Sequence, residues 1–255
     1  MIPSKPNILK CPHCGGLRRV RSIMSGNTFR KTIWSDGKVD YPMLPPISKV
    51  LRCPVCKKYH FYESSQIVGK CKSWGNASWG ELSYTSLKEA LLEIAPTGEK
   101  EIMLRKMILW AYNDLYWEIA DVESPTKEHL AEREYFIQNA KVLMALYPEN
   151  KSLCAELYRE IGEFEQCTQY TIDIFVKMEN PRTVDYLMEL QTFLQKADRR
   201  DSKVYAVSHG RDEATREPVL EEDDESQYIY DPDNDPEEED WFDMLNRAFN
   251  EDDEY

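Results

Sequence analysis

Two short motifs near the start of the chain carry the clearest chemistry. Cys11-Pro12-His13-Cys14 and Cys53-Pro54-Val55-Cys56 share the spacing C-P-x-C. Two thiolates on one tight turn reach the same metal ion, and two such turns complete a tetrahedron. The metal expected is zinc, one ion held by Cys11, Cys14, Cys53 and Cys56. Four sulfur ligands leave no open coordination position, so the expected site is structural rather than catalytic. His13 sits between paired ligands and is expected to point outward. His60, four residues after Cys56, is the one substitute ligand within reach.

The elements that must position these cysteines are short. Residues 17–23 alternate as a strand does, and residues 28–34 and 38–41 flank Ser35-Asp36-Gly37, a hairpin-turn signal. Residues 48–52 lead into the second cysteine pair and 60–62 leave it. Two cysteine knuckles joined through a small antiparallel sheet make a zinc ribbon, expected over residues 1–65. So small a module has little apolar surface, so metal binding is expected to supply much of its folding energy. Residues 66–84 read as a linker whose Trp74 and Trp79 dock the ribbon onto the next segment of the chain.

Residues 85–208 read as a helical domain. Ser86 with Glu89 forms a capping box, and Pro96 with Gly98 ends that helix. The next helix is expected over about 100–120, with Leu104, Ile108, Ala111, Leu115 and Ile119 as its apolar stripe. Ser124-Pro125 opens a third, with Phe136, Ala140, Leu143 and Tyr147 on its face. Asn150, Glu163 and Asn180-Pro181 mark three more helix starts, and residues 203–207 read as a last strand. The series Ala155, Tyr158, Gly162, Phe164, Cys167 fits a tetratricopeptide-like hairpin in a single copy. Cys71, Cys154 and Cys167 read as small buried hydrophobes.

Charge is distributed unevenly. The net charge of −14 combines a basic head with an acidic tail. Residues 1–60 hold twelve Lys or Arg against Asp36 and Asp40, and residues 217–255 hold eighteen Asp or Glu against Arg247 alone. The tail, 209–255, cannot bury enough surface to fold by itself and is expected to be disordered. Within it Trp241, Phe242, Leu245 and Phe249 recur at helical spacing, so a short helix over 240–250 is expected to bind a protein partner or its own chain. The basic head reads first as charge compensation for a tetrathiolate centre. The alternative is a phosphate-contacting surface that gives a nucleic-acid-associated protein, modulated by the acidic tail.

No membrane span of about 18–20 apolar residues appears. Met1-Ile2-Pro3-Ser4-Lys5-Pro6 lacks the apolar block of a secretory signal, so the expected compartment is the cytoplasm. In a reducing compartment paired cysteines read as a metal site rather than disulfides. The sequence carries no G-x-x-x-x-G-K-[ST], H-E-x-x-H or G-x-S-x-G motif, and no catalytic residue is assigned.

Cys11-Pro-His-Cys-Gly15, Trp34-Ser-Asp-Gly-Lys38, Pro42-Met-Leu-Pro45 and Arg52-Cys-Pro-Val-Cys56 resemble a group of uncharacterised bacterial zinc-ribbon proteins. Those proteins carry a tetratricopeptide-like helical region, and residues 156–165 here look similar to it. The resemblance spans about residues 8–200 and implies architecture and a bacterial origin, with no activity attached. The expected fold class is α+β: a zinc ribbon packed on a mostly helical body, followed by the acidic tail. The expected function is non-enzymatic protein–protein interaction with one structural zinc.

Overall fold

A computed structural model describes residues 2–44, 48–73, 77–116, 125–176 and 184–209. The described residues all lie within one compact unit, 1–213. The fold is α+β, with small antiparallel sheets at the N-terminal end and six helices among the described residues.

The first sheet joins β1 (Ile2–Lys10), β2 (Leu17–Ser25) and β7 (Gln66–Lys70) in the order β2-β1-β7. β1 is hidden in the sequence because Pro3 and Pro6 interrupt its pattern, and proline removes a ladder donor. The register shifts at Ile2/Pro3 and again between Ser4 and Asn7, so the strand accommodates both prolines at irregular pairings. β7 lies within the segment expected as linker and pairs with β1. Leu9, Val20 and Leu51 form a small core beneath this sheet.

β3 (Thr32–Trp34) and β4 (Val39–Asp40) make the expected hairpin about Ser35-Asp36-Gly37, though residues 28–31 stay outside it. Gly37 takes a positive φ of 77° and donates to the Trp34 carbonyl, which closes the turn. The hairpin gains a third strand from far along the chain: β8 (Ala206–His209) pairs antiparallel with β3. β5 (Val50–Arg52) and β6 (Tyr59–Phe61) form a separate two-stranded sheet.

The helices are α1 (Tyr84–Ile94), α2 (Glu99–Tyr116), α3 (Lys127–Leu146), α4 (Lys151–Glu160), α5 (Phe164–Val176) and α6 (Val184–Asp198). α1 starts earlier than expected. Ser83, not Ser86, is its N-cap and accepts from the Ser86 amide, because the first turn buries Tyr84. α3 is capped by Thr126, which forms a capping box with His129; Ser124 lies outside the described residues. Asn150 caps α4 as expected. On α2 the buried face is Leu104, Ile108, Leu109 and Tyr112, while Leu115 is 58% exposed, so the apolar stripe is rotated from the expected one. Trp74, Ile119 and Asn180-Pro181 also fall outside the described residues.

One core joins sheet and helices. Val50, Tyr59 and Phe61 from β5 and β6 pack with Leu87, Ala90, Leu104, Ile108, Phe136 and Leu143. The sheet that carries the second cysteine knuckle is therefore part of the helical core. Polar ties reinforce it: the Tyr59 hydroxyl donates to Glu89 and its amide to Glu93, and Lys100 pairs with Glu63.

Candidate metal centre

The two knuckles repeat one backbone device. In the first, the Gly15 amide donates to the Cys11 carbonyl and the Cys11 amide to Gly16. In the second, the Lys57 amide donates to Cys53 and the Cys53 amide to Lys58, at matching distances of 3.0 and 2.9 Å. Each turn needs its residue after the second cysteine at positive φ, 72° at Gly15 and 65° at Lys57. Glycine adopts this freely, whereas a side chain there costs about 1–2 kcal/mol. The second knuckle tolerates that strain, and Lys57 Nζ turns back onto the Pro54 carbonyl at 2.7 Å.

These turns bring all four sulfurs together. Atoms Sγ of Cys11, Cys14, Cys53 and Cys56 lie within 4.8 Å of one another. Across the knuckles Cys11 and Cys56 are 3.9 Å apart, and Cys14 and Cys53 are 3.6 Å apart. A tetrahedron with metal–sulfur bonds near 2.3 Å requires sulfurs about 3.8 Å apart. The tetrad fits one four-coordinate metal ion, and all four positions are filled by protein. None of the seven cysteines forms a disulfide, and Cys71, Cys154 and Cys167 are buried. Among the described residues this is the one group of three or more Cys, His, Asp or Glu so arranged.

The His13 amide points at Cys11 Sγ and the Gly16 amide at Cys14 Sγ, each at 3.4 Å. Burial disfavours the Cys53 thiolate, yet the amides of Cys56 and Val55 and the neighbouring thiols bring it down to about 7. The Lys58 amide favours the Cys56 thiolate, but burial and the three other sulfurs push it up to about 11. The two shifts run in opposite directions, and a metal ion bound there would displace the remaining protons.

His60 does not belong to the ligand set. It is buried, its ring stands edge-on to His13 at 6.0 Å, and burial lowers its pKa. His13 lies with Nε2 3.2 Å from the Tyr59 carbonyl oxygen.

Several of the basic residues are committed to holding the ribbon together. Arg18 donates to the Arg52 carbonyl and to Ser78, and Arg21 donates to the Ala77 carbonyl. Arg52 donates to the Lys57 carbonyl and lies over the Tyr59 ring. Burial lowers the pKa of Arg18, and the nearby Cys53 opposes that shift. Segment 77–80 is thereby fixed along β2, with the Arg21 guanidinium 5.6 Å above Trp79. Gly80 takes a φ of 80° where a side chain would meet Leu51 at 2.6 Å. The tail residues Trp241, Phe242, Leu245 and Phe249 lie outside the described residues.

A second cluster of polar residues was not singled out from sequence. Asp36, Glu156, Arg159 and Glu160 are each at most 1% exposed. Glu156 grips Arg159 through two guanidinium nitrogens, and Arg159 also donates to the Asp201 carbonyl. Asn113 Nδ2 donates both to Asp36 Oδ2 at 2.9 Å and to Glu160 Oε2 at 3.2 Å. Asp36 reads locally as a turn residue, and Glu160 sits in an ordinary charged helix pattern. Only the turn of β3–β4 against α2 and α4 brings them together.

No known family model matches this chain, and no curated protein or solved structure is detectably similar to it.

Proposed function

We propose that this chain is a non-enzymatic, zinc-stabilised interaction protein. The observation that carries the reading is the closed sulfur tetrad: four cysteine sulfurs at tetrahedral spacing, with no position left for substrate or water. Zinc is the ion chosen because a closed four-thiolate tetrahedron is its ordinary structural site. The ion holds two turns whose sheet shares the helical core, so its role is to fix the surface that the helices present. That surface carries well-exposed apolar side chains, among them Leu92, Leu130 and Val176. Trp241, Phe242, Leu245 and Phe249 of the tail are the second contact we assign to a protein partner. The α4–α5 pair, turning at Gly162 with φ of 87°, is consistent with a tetratricopeptide-like hairpin. A reducing compartment, the cytoplasm, suits seven cysteines with no disulfide among them.

The nucleic-acid reading is the weaker one. Arg18, Arg21, Arg52 and Lys57 spend donors on backbone carbonyls, and Lys10, Arg19 and Lys58 are among the exposed cations of the ribbon.

The test is metal content together with a binding measurement. Purified protein is expected to hold about one zinc per chain by mass spectrometry. Cys11→Ser combined with Cys53→Ser is expected to abolish it. Retention of zinc by that variant would remove the assignment. Salt-sensitive binding of a single-stranded oligonucleotide at low ionic strength would favour the nucleic-acid reading instead.

A further inference from the structure

The cluster around Asp36 contains more buried acid than base. Three carboxylates, those of Asp36, Glu156 and Glu160, meet one guanidinium, that of Arg159. Glu156 claims that guanidinium through two nitrogens, and the Asp201 carbonyl takes a third. Asp36 and Glu160 share one side-chain donor group, the Asn113 amide. The two hydrogens of Asn113 Nδ2 are divided between them, which places the carboxylates within about 6 Å of each other. The Lys38 amide supplies Asp36 Oδ1 at 3.0 Å, whereas Glu160 Oε1 has no hydrogen-bond partner among the described residues.

Two buried charges of the same sign at this distance raise each other's proton affinity, and Arg159 and Lys38 offset this only in part. Among the described residues, no group of three Cys, His, Asp or Glu ligand atoms other than the sulfur tetrad includes this pair. The compensating cation is then a proton. Its host is Glu160, the last residue of α4, where the helix C-terminal dipole adds to the penalty on negative charge.

The pair also holds an architectural joint. The turn between β3 and β4 is docked through the Asp36 carboxylate, through the Trp110 indole donating to the Asp36 carbonyl, and through Ser35, whose amide donates to the Tyr205 carbonyl and whose hydroxyl accepts from the Tyr205 amide. A cavity of about 440 Å³, lined by Asp36, Asn113, Lys38, Asp114, Trp34 and Val204 among others, adjoins this turn. We infer that Asp36, Asn113 and Glu160 form a proton-dependent latch: one proton on the buried carboxylate pair docks the β3–β4 turn, and with it β8, onto α2 and α4, and its departure loosens that joint.

The charged and titratable groups around the latch are consistent with one proton. On α4 stand Glu156 and Arg159; on α2, Lys106 acts on Asp36, and Asp114 pairs with Lys38. From the hairpin come Lys38 and Asp40, from α3 Arg133 donates to the Glu160 carbonyl, and from α5 the Cys167 thiol lies near Glu156. Asp201 and Tyr205 face Arg159 from the last segment. Burial raises the pKa of Glu160 well above the usual carboxylate range, and Glu156 and Asp36 raise it further, against the opposing pull of Arg159 and the Asn113 amide. Burial raises that of Asp36 as well.

A carboxyl that binds its proton more tightly in the docked state stabilises docking fully below the ordinary carboxylate value. That stabilisation is lost as pH rises toward the raised value.

The experiment is amide hydrogen exchange on the full chain, metal-loaded, between pH 5 and 9, read as protection relative to intrinsic rates. Protection at Lys38, Ser35 and Tyr205 is expected to fall with rising pH, by up to about tenfold per unit for one linked proton. Leu87 of α1 and Ala95, the C-cap that follows it, serve as references and are expected to stay flat. Glu160→Gln, which cannot ionise, is expected to remove the slope at all three sites. Asp36→Asn is the second variant; it removes the neighbouring like charge and is expected to move the fall in protection to lower pH, so misfolding of one variant leaves a test. A flat wild-type profile, or the same profile in wild type and a folded variant, would overturn the latch. Protection that tracks potassium or sodium concentration instead of pH would assign a metal cation and overturn it as well.

Discussion

Arg159 and Glu156 are wholly excluded from solvent and sit one helical turn apart. Their pairing is costly to form and more costly to break. Removing one partner leaves a bare charge in the interior, while replacing both removes the desolvation cost as well. Arg159→Met is therefore expected to destabilise the protein by about 3–5 kcal/mol. The double change Glu156→Leu with Arg159→Met is expected to recover most of that loss. Urea unfolding at pH 7 distinguishes them; equal losses for the single and double variants would show that packing, not charge, matters there. At the cysteines, Cys53 at about 7 and Cys56 at about 11 mean that metal must displace protons. Apparent metal affinity is expected to rise steadily from pH 6 to 8 in competition with a chromophoric chelator. A pH-independent affinity would contradict thiolate ligation.

At the scale of elements, caps and turns decide where segments begin. The Ser83 side chain accepts from the Ser86 amide at 3.2 Å, so Ser83→Ala is expected to cost about 1 kcal/mol in thermal or urea unfolding. Ser86→Ala is expected to cost much less, since Ser86 lies inside the first turn. The reverse ranking would restore the capping box that the sequence pattern favours. β8 illustrates the opposite dependence. A four-residue strand has little stability alone and forms because β3 offers an unpaired edge, joined through Ser35 and Tyr205.

At the scale of the molecule, the metal centre and the helices share one core through Val50, Tyr59 and Phe61. Metal removal is accordingly expected to lower the stability of the helices as well as the ribbon. Titration with a strong chelator, monitored by near-ultraviolet and far-ultraviolet circular dichroism, is expected to lower both melting transitions together. A helical signal that melts unchanged while the aromatic signal is lost would show that ribbon and helices are energetically separate. Among the described residues no helix is long and apolar enough to cross a membrane.

The sequence by itself determined whatever depends on local spacing. The two C-P-x-C turns, the Ser35-Asp36-Gly37 hairpin, the Asn150 cap and the succession of amphipathic helices are all set by residues a few positions apart. Tertiary structure alone decided the rest, for reasons that are physical. β1 is obscured by its prolines, and β7 and β8 exist through partners distant in sequence. The latch joins Asp36, Asn113 and Glu160, three polar residues that look solvent-facing in their own segments. Their burial is a property of how a turn and two helices meet, and no local pattern encodes it. The sulfur tetrad was legible because each half is a local motif; the proton site was not, because each of its residues comes from a different element.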